Sequence, residues 1–181
     1  MKSKTSNFIC ATAVGVMALC SSAAIATPFI FSQGGYSGGG VIAGSFDTTD
    51  LDNNGQISSF AGEVTGFSLS FSGDSIVGDF THTLSDLSGL VYDLGSGFIG
   101  DGAGGEIEGM ASNWFGTIGF DFASGLGPTG LVGGRVIDIA TGATSTTSAL
   151  ISVSAVPEPA TLSLVALGLA GLIVRRRKTI A

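Results

Sequence analysis

Hydrophobic and polar residues alternate over several short windows of the chain. In the clearest window, single serines separate Phe67, Leu69 and Phe71. A period of two places the apolar side chains on one face of a β-strand. The same reading applies to residues 41–46, 76–84, 114–122, 136–139 and 151–153. Each window is therefore predicted to be a strand with one buried face.

Turn-forming residues separate these windows. They occupy residues 72–74, 95–97, 101–102 and 125–130, and no window shows a sustained helical period. Short alternating strands of this kind predict an all-β domain, either an antiparallel sandwich or an open barrel-like sheet. Of two low-complexity stretches, residues 34–40 are predicted to be flexible and residues 141–148 to be a loop or a hydroxyl-rich strand.

The pattern at the start of the chain is typical of a secretory signal peptide. Two lysines precede an apolar run over residues 8–19, and small residues ending in Ala24-x-Ala26 follow it. A charged start, an apolar centre and a small-residue cleavage site define such a signal. We expect a signal-peptide helix within residues 1–26 and cleavage before Thr27.

Both cysteines of the chain, Cys10 and Cys20, fall inside this signal. The exported chain would therefore contain no disulfide and no cysteine metal site. A lipoprotein signal with Cys20 as the lipidated residue is the alternative. It is disfavoured because Leu19 stands where a small residue is required.

Residues 156–181 form a segment of three parts. These are an extended motif of Val156, Pro157, Glu158 and Pro159, an apolar run over residues 160–174, and a basic cluster of Arg175, Arg176, Arg177 and Lys178. The prolines favour extended backbone around Glu158. The apolar run would rise roughly 22 Å as a helix, short of a ~30 Å hydrocarbon core, and the basic cluster would stay cytoplasmic. We predict a short transmembrane helix.

This arrangement resembles the PEP-CTERM protein-sorting domain. The resemblance rests on Val156-Pro157-Glu158-Pro159, the apolar run and the arginines that follow it. In that family, the integral-membrane enzyme exosortase of Gram-negative bacteria removes the tail near the Pro-Glu-Pro, and the system is associated with exopolysaccharide and biofilm matrix. The resemblance implies an exported protein, transiently anchored in the inner membrane and then passed to the cell surface or exterior. An ordinary C-terminal anchor is the alternative.

Residues 27–155 are the predicted β domain, and their charge is strongly negative. Of the fourteen acidic residues of the chain only Glu158 lies outside this range, and of the seven basic residues only Arg135 lies inside it, so the formal net charge is −12. This balance argues against binding to nucleic acid or to anionic lipid, because both need clustered Lys and Arg. It suits an extracellular protein or one that recruits divalent cations.

The candidate metal site lies in residues 50–57, which read D-L-D-N-N-G-Q-I and match the first half of a calcium loop. Calcium takes six to eight hard oxygens arranged around a tight turn. The predicted ligands are Asp50, Asp52, Asn54, the backbone carbonyl of Gln56, and Glu63, with Asp47 as an alternative to Glu63. The predicted flanking strands exclude a helix–loop–helix. A polar turn without metal is the competing interpretation, because turns also favour Asp, Asn and Gly.

Other chemically active residues give weaker signals. Glu106 and Glu108 are predicted to lie in a solvated loop, with a cation site or a carboxylate pair as alternatives. His82, the only histidine, falls on the apolar side of its window and is predicted to be a satisfied residue at the edge of the core. Trp114 and Tyr92 are either core residues or platforms for sugar rings.

Three functions remain open from the sequence. The first is a non-catalytic protein of the cell surface or extracellular matrix, sorted through its tail and associated with exopolysaccharide. The second is a calcium-assisted carbohydrate-binding module that uses Trp114 or Tyr92. The third is a secreted hydrolase, which is disfavoured because no motif positions a nucleophile or a carboxylate pair.

Overall fold

The computed structural model describes residues 26–102, 107–125 and 133–157. These residues form twelve β-strands and two short 3₁₀ turns, at Ser59–Ala61 and Leu84–Asp86. The predicted transmembrane helix over residues 160–174 and residues 1–25 of the predicted signal peptide lie outside the described residues. Across the three described ranges, no helix has the length and apolar character needed to span a bilayer.

The strands form two antiparallel sheets of six strands each. In spatial order, sheet A contains β5 (Phe80–Thr83), β4 (Val64–Phe71), β2 (Ile42–Thr48), β1 (Thr27–Gln33), β12 (Ile151–Ala155) and β7 (Phe98–Ile99). Sheet B contains β11 (Thr144–Thr147), β10 (Gly134–Asp138), β9 (Phe120–Gly125), β8 (Gly109–Ser112), β6 (Leu87–Asp93) and β3 (Gln56–Ser58). The all-β prediction is confirmed.

The inner faces of the two sheets pack against each other through aromatic side chains. Phe29 of β1 meets Tyr92 of β6 edge to face, with ring centroids 5.4 Å apart, and Phe80 of β5 stacks on Phe120 of β9 at 4.9 Å. Offset stacked and edge-to-face arrangements are the favourable ones for aromatic pairs. A single apolar core therefore lies between the sheets, and the arrangement is a sandwich rather than an open barrel.

The first and last strands of the described domain are neighbours in sheet A. β1 and β12 run antiparallel, with Phe29 opposite Ala155 and Ser32 opposite Ser152. The ladder extends one residue past β12, because the Val156 N–H donates to the Pro28 carbonyl oxygen at 2.9 Å. The start of β1 and the end of β12 therefore lie together at one end of the sandwich, named here the junction end.

Three local predictions are wrong. The window 114–122 is a strand only from Phe120 onwards, because Asn113 and Phe115 adopt positive φ angles of 51° and 68° and form a loop instead. Residues 34–40 were expected to be flexible, yet Tyr36 is buried and its hydroxyl donates to Gln33 Oε1 at 2.7 Å. In the window 76–84, Ile76 is exposed and precedes the strand. Of the two readings of residues 141–148, the strand holds over Thr144–Thr147.

Candidate functional site

The acidic loop, residues 49–55, follows β2 at the junction end. Both oxygens of the Asp50 carboxylate accept backbone bonds, Oδ1 from the Asn54 N–H at 3.2 Å and Oδ2 from the Gly55 N–H at 3.0 Å. Asp52 Oδ1 accepts from the same Asn54 N–H at 3.1 Å. Asn53 and Gly55 have φ angles of 58° and 82°, in the left-handed region that Asn and Gly adopt at least cost. The loop is thus a tight turn folded around its own carboxylates.

Glu63 connects this loop to the body of the domain. Its side chain is 1% exposed, and its two oxygens accept hydrogen bonds from the Leu51 N–H at 2.9 Å and the Ser58 N–H at 2.8 Å. Bonds from backbone N–H groups to a carboxylate are charge-assisted and stronger than neutral ones. These bonds compensate for the burial of the carboxylate. They also connect the acidic loop, through Leu51, and the following strand β3, through Ser58, to one side chain.

Three of the predicted calcium ligands come together. One carboxylate oxygen from each of Asp50, Asp52 and Glu63 can be chosen so that all three lie within 4.8 Å of one another. Asp47 is not part of this group, because its carboxylate lies over Gly66 on the outer face of sheet A. Hard oxygens at this density suit calcium.

Other observations favour the turn without metal. The Asn54 side-chain oxygen already accepts the Gln56 N–H at 2.6 Å, and the Asn54 amide donates to Asp52 Oδ2 at 3.0 Å. The Gln56 side chain reaches away to Asp93 Oδ1 at 2.9 Å. The local bonds therefore stabilise the loop by themselves, and calcium binding stays a prediction.

Glu108 is not in a solvated loop, so that prediction is wrong. Its side chain is 0% exposed, and its oxygens accept hydrogen bonds from the Asp93 N–H at 3.2 Å and the Gly100 N–H at 3.1 Å. Burial raises the pKa of the Glu108 carboxyl, while the two backbone donors oppose the rise. Glu108 satisfies buried backbone donors between two strands, and its predicted companion Glu106 lies outside the described residues.

His82 is a buried histidine, as its sequence pattern predicts. Its Nδ1 lies 2.7 Å from Ser112 Oγ, and its ring centroid is 4.7 Å from that of Phe80. Burial lowers the pKa of His82, and the nearby Asp86 carboxylate opposes this change. The set of Ser112, His82 and Asp86 has the residue types of a hydrolytic triad. Ser112, however, has no exposed surface, so its hydroxyl has no access to a substrate in this conformation.

The aromatic residues divide sharply between core and surface. Tyr92 is 2% exposed and lies in the core, so of its two predicted roles the core residue holds and the sugar platform does not. Trp114 is partly exposed, and the Arg135 guanidinium carbon lies 4.6 Å from the centroid of its ring. Phe115 next to it is 89% exposed. No alternating pattern could indicate this exposure, because the residues lie in a loop.

The sorting junction is the second candidate site. β12 ends at Ala155, the Val156 N–H is still bonded to Pro28, and Pro157 is the last described residue. Thr27, the residue after the predicted signal-peptide cleavage, pairs with Thr48 at the same end of sheet A. The predicted signal-peptide cleavage point and the last described residue, Pro157, therefore lie at the junction end, next to the acidic loop. Glu158, Pro159 and the basic cluster lie outside the described residues.

The C-terminal segment begins directly after the last strand of the all-β domain. The family model of the PEP-CTERM protein-sorting motif matches residues 155–178, which confirms the prediction made from the tail. The motif implies export, transient membrane anchoring and processing by exosortase. No curated protein and no solved structure matches the chain.

Proposed function

We propose that this chain is a non-catalytic protein of the cell surface or extracellular matrix, which exosortase processes within residues 155–178 and which associates with exopolysaccharide. The observation that carries the proposal is the sorting motif, whose first residue, Ala155, is the last residue of β12. The domain thus ends where the motif begins, and removal of the tail would leave all twelve strands in place.

The roles of the buried polar groups support a non-catalytic domain. Glu63 and Glu108 each accept two backbone N–H groups, and His82 is bonded to a buried serine. Buried polar side chains of this kind stabilise a fold by satisfying donors that would otherwise be unpaired. A secreted hydrolase would need such groups to face a cleft instead, so it is the least supported function.

The intact mass of the protein recovered from cells, with and without exosortase, tests this function. We expect a chain that starts at Thr27 and ends near residues 157–159 when exosortase is present. Without the enzyme, the recovered chain should retain residues 160–181. Retention of this segment in both strains would refute processing and would indicate a permanent membrane anchor.

A carbohydrate-binding module is the second candidate function. It is favoured by the exposure of Phe115 beside the partly exposed Trp114, and by the group of Asp50, Asp52 and Glu63 that calcium would require. These two features lie in different parts of the domain, so they would act separately. The geometry therefore does not support a calcium ion of this group that assists the binding of a sugar at Trp114.

A further inference from the structure

Hydrogen bonds hold the loop that joins β8 to β9, residues 113–119, to itself and to neighbouring residues. The Asn113 N–H donates to the Asp86 carbonyl at 2.7 Å, and the Asn113 side-chain amide donates to the carbonyls of Ile118 at 3.0 Å and Phe120 at 2.9 Å. The Trp114 N–H donates to Ser88 Oγ at 2.9 Å. These bonds hold the backbone in a fixed conformation, although Asn113 and Phe115 carry the positive φ angles that most residues avoid.

The fixed loop displays two apolar side chains to solvent. Phe115 is 89% exposed and Ile118 is 80% exposed, which are the highest values for large hydrophobic residues in the described ranges. The Trp114 ring stands beside that of Phe115, with centroids 5.8 Å apart in an edge-to-face arrangement. Apolar side chains exposed together on a rigid element are typical of a contact surface.

The loop lies at the end of the sandwich opposite the junction end. Strand β6 connects the two positions: Tyr92 near its end contacts Phe29, and Leu87 at its start pairs with Ser112, the residue before the loop. Tyr92 is five positions after Leu87 along the strand, about 17 Å at ~3.3 Å per residue. A domain tethered by its sorting segment would therefore present this loop away from the membrane.

We propose that Phe115, Ile118 and Trp114 form a contact site for the sugar rings of a neutral polysaccharide. This inference rests on the proposed function, and it names the kind of ligand that the exported domain would meet. The apolar C–H face of a pyranose ring packs on an aromatic face through the same dispersion and quadrupole terms that favour aromatic contacts.

The charge of the domain selects a neutral ligand. The formal net charge of residues 27–155 is −12, and Arg135 is their only Lys or Arg. Its guanidinium lies against the Trp114 ring. Burial raises the pKa of the nearby Asp121 carboxyl, and the charge of Arg135 opposes this rise. Anionic polysaccharides, nucleic acids and anionic membranes would all be repelled. A second copy of the chain is the competing occupant, and the oligomeric state of the protein distinguishes it, because a stable interface buries at least ~1,000 Å².

Retention of the exported, processed protein on insoluble polysaccharides tests this site. The probes are cellulose and chitin, which are neutral, and alginate gel, which is anionic. We expect binding to at least one neutral polymer and none to alginate. Phe115→Ala should weaken binding about tenfold, and Phe115→Tyr should preserve it, because tyrosine retains the aromatic face. The control variant is Phe98→Ala, which removes a phenylalanine 46% exposed on sheet A and should leave binding unchanged.

Each other result would overturn the proposal. Failure of the wild-type protein to bind either neutral polymer, equal binding to alginate, or equal losses in Phe115→Ala and Phe98→Ala would refute a sugar site at the loop. Conversion of a dimer to a monomer by Phe115→Ala would assign the loop to a second copy instead. Intact mass measured on the same samples separates the two proposals: correct processing without retention refutes the loop site alone, and a retained tail refutes the proposed function alone.

Discussion

Lowering the pH should destabilise the domain through His82. The side chain is 7% exposed, and burial lowers its pKa below the ~6.5 of an unperturbed histidine. The unfolded chain therefore takes up a proton more readily than the folded one. Stability contributed by the neutral imidazole is complete above the unfolded pKa and is lost as the pH falls through it.

The expected magnitude follows from the size of the pH step. Between about pH 7.5 and pH 5.5, a histidine that stays neutral in the folded state lowers the unfolding free energy by up to about 1.4 kcal/mol. Two carboxyls act in the opposite direction. Burial raises the pKa values of Glu108 and Asp121, so their protonation in acid stabilises the folded state. Wild-type melting alone therefore underestimates the effect of His82.

The measurement is the melting temperature of wild-type protein and of His82→Gln between pH 7.5 and pH 5.5. Glutamine offers Ser112 an amide in place of the imidazole and does not titrate. We expect the wild-type protein to lose more than the variant, by up to about 5 °C, because about 1.4 kcal/mol shifts the melting temperature of a domain of this size by that amount. As the chain has one histidine, NMR can follow its pKa directly.

Two results would contradict this reasoning. A directly measured pKa of His82 at or above that of an unfolded peptide would show that burial does not control its titration. Parallel pH curves for wild-type protein and His82→Gln would show that His82 does not contribute to the pH dependence of stability. Either result would also reopen the question of whether Ser112 and His82 become accessible to solvent.

Two further predictions concern the acidic loop and the close approach of β2 to β4. Calcium at about ten times its dissociation constant should raise the melting temperature by about 5 °C, equivalent to about 1.4 kcal/mol. Asp52→Asn should reduce this gain. If calcium does not raise the melting temperature above that in calcium-free buffer, the acidic loop is a turn that binds no metal. Gly44→Ala should cost about 1–3 kcal/mol in denaturant unfolding, because its Cβ would overlap the Ser68 carbonyl oxygen and the Phe31 ring. The control Gly97→Ala, with nothing within 4 Å, should change stability by less than about 0.5 kcal/mol.

The strands that the sequence reveals are those with one buried face. β4 and β12 show the alternation: Phe67, Leu69 and Phe71 of β4 and Ile151 and Val153 of β12 are buried, and the serines between them are exposed. β8 gave no such signal, because all four of its residues are buried and both faces are covered. In β1 an exposed Ile30 stands between Phe29 and Phe31, so that a continuous apolar run hides the alternation. Alternation of apolar and polar residues therefore reveals a strand only when one of its faces is buried and the other is exposed.

The candidate sites show the same division. The spacing of Asp50 and Asp52 indicated a turn folded around carboxylates, because that geometry depends on residues close in sequence. The burial of Glu63 and Glu108 could not be predicted from their neighbours, because it depends on backbone donors, such as those of Leu51 and Gly100, that the fold brings to them. The fixed conformation of residues 113–119 depends likewise on Asp86 and Ser88, two distant hydrogen-bond partners.

The pairing of the first strand with the last has a consequence for the timing of folding. Secretion from the N-terminus would deliver β1 first and β12 last. One edge of β1 would therefore keep unpaired backbone N–H and C=O groups until residue 155 has been exported. Contacts between the two ends of a chain form slowly, because the whole intervening loop must close. The sorting motif follows directly on the strand that fills this edge. A chain truncated before β12 would lack both the strand that pairs with β1 in sheet A and the sorting motif that follows it.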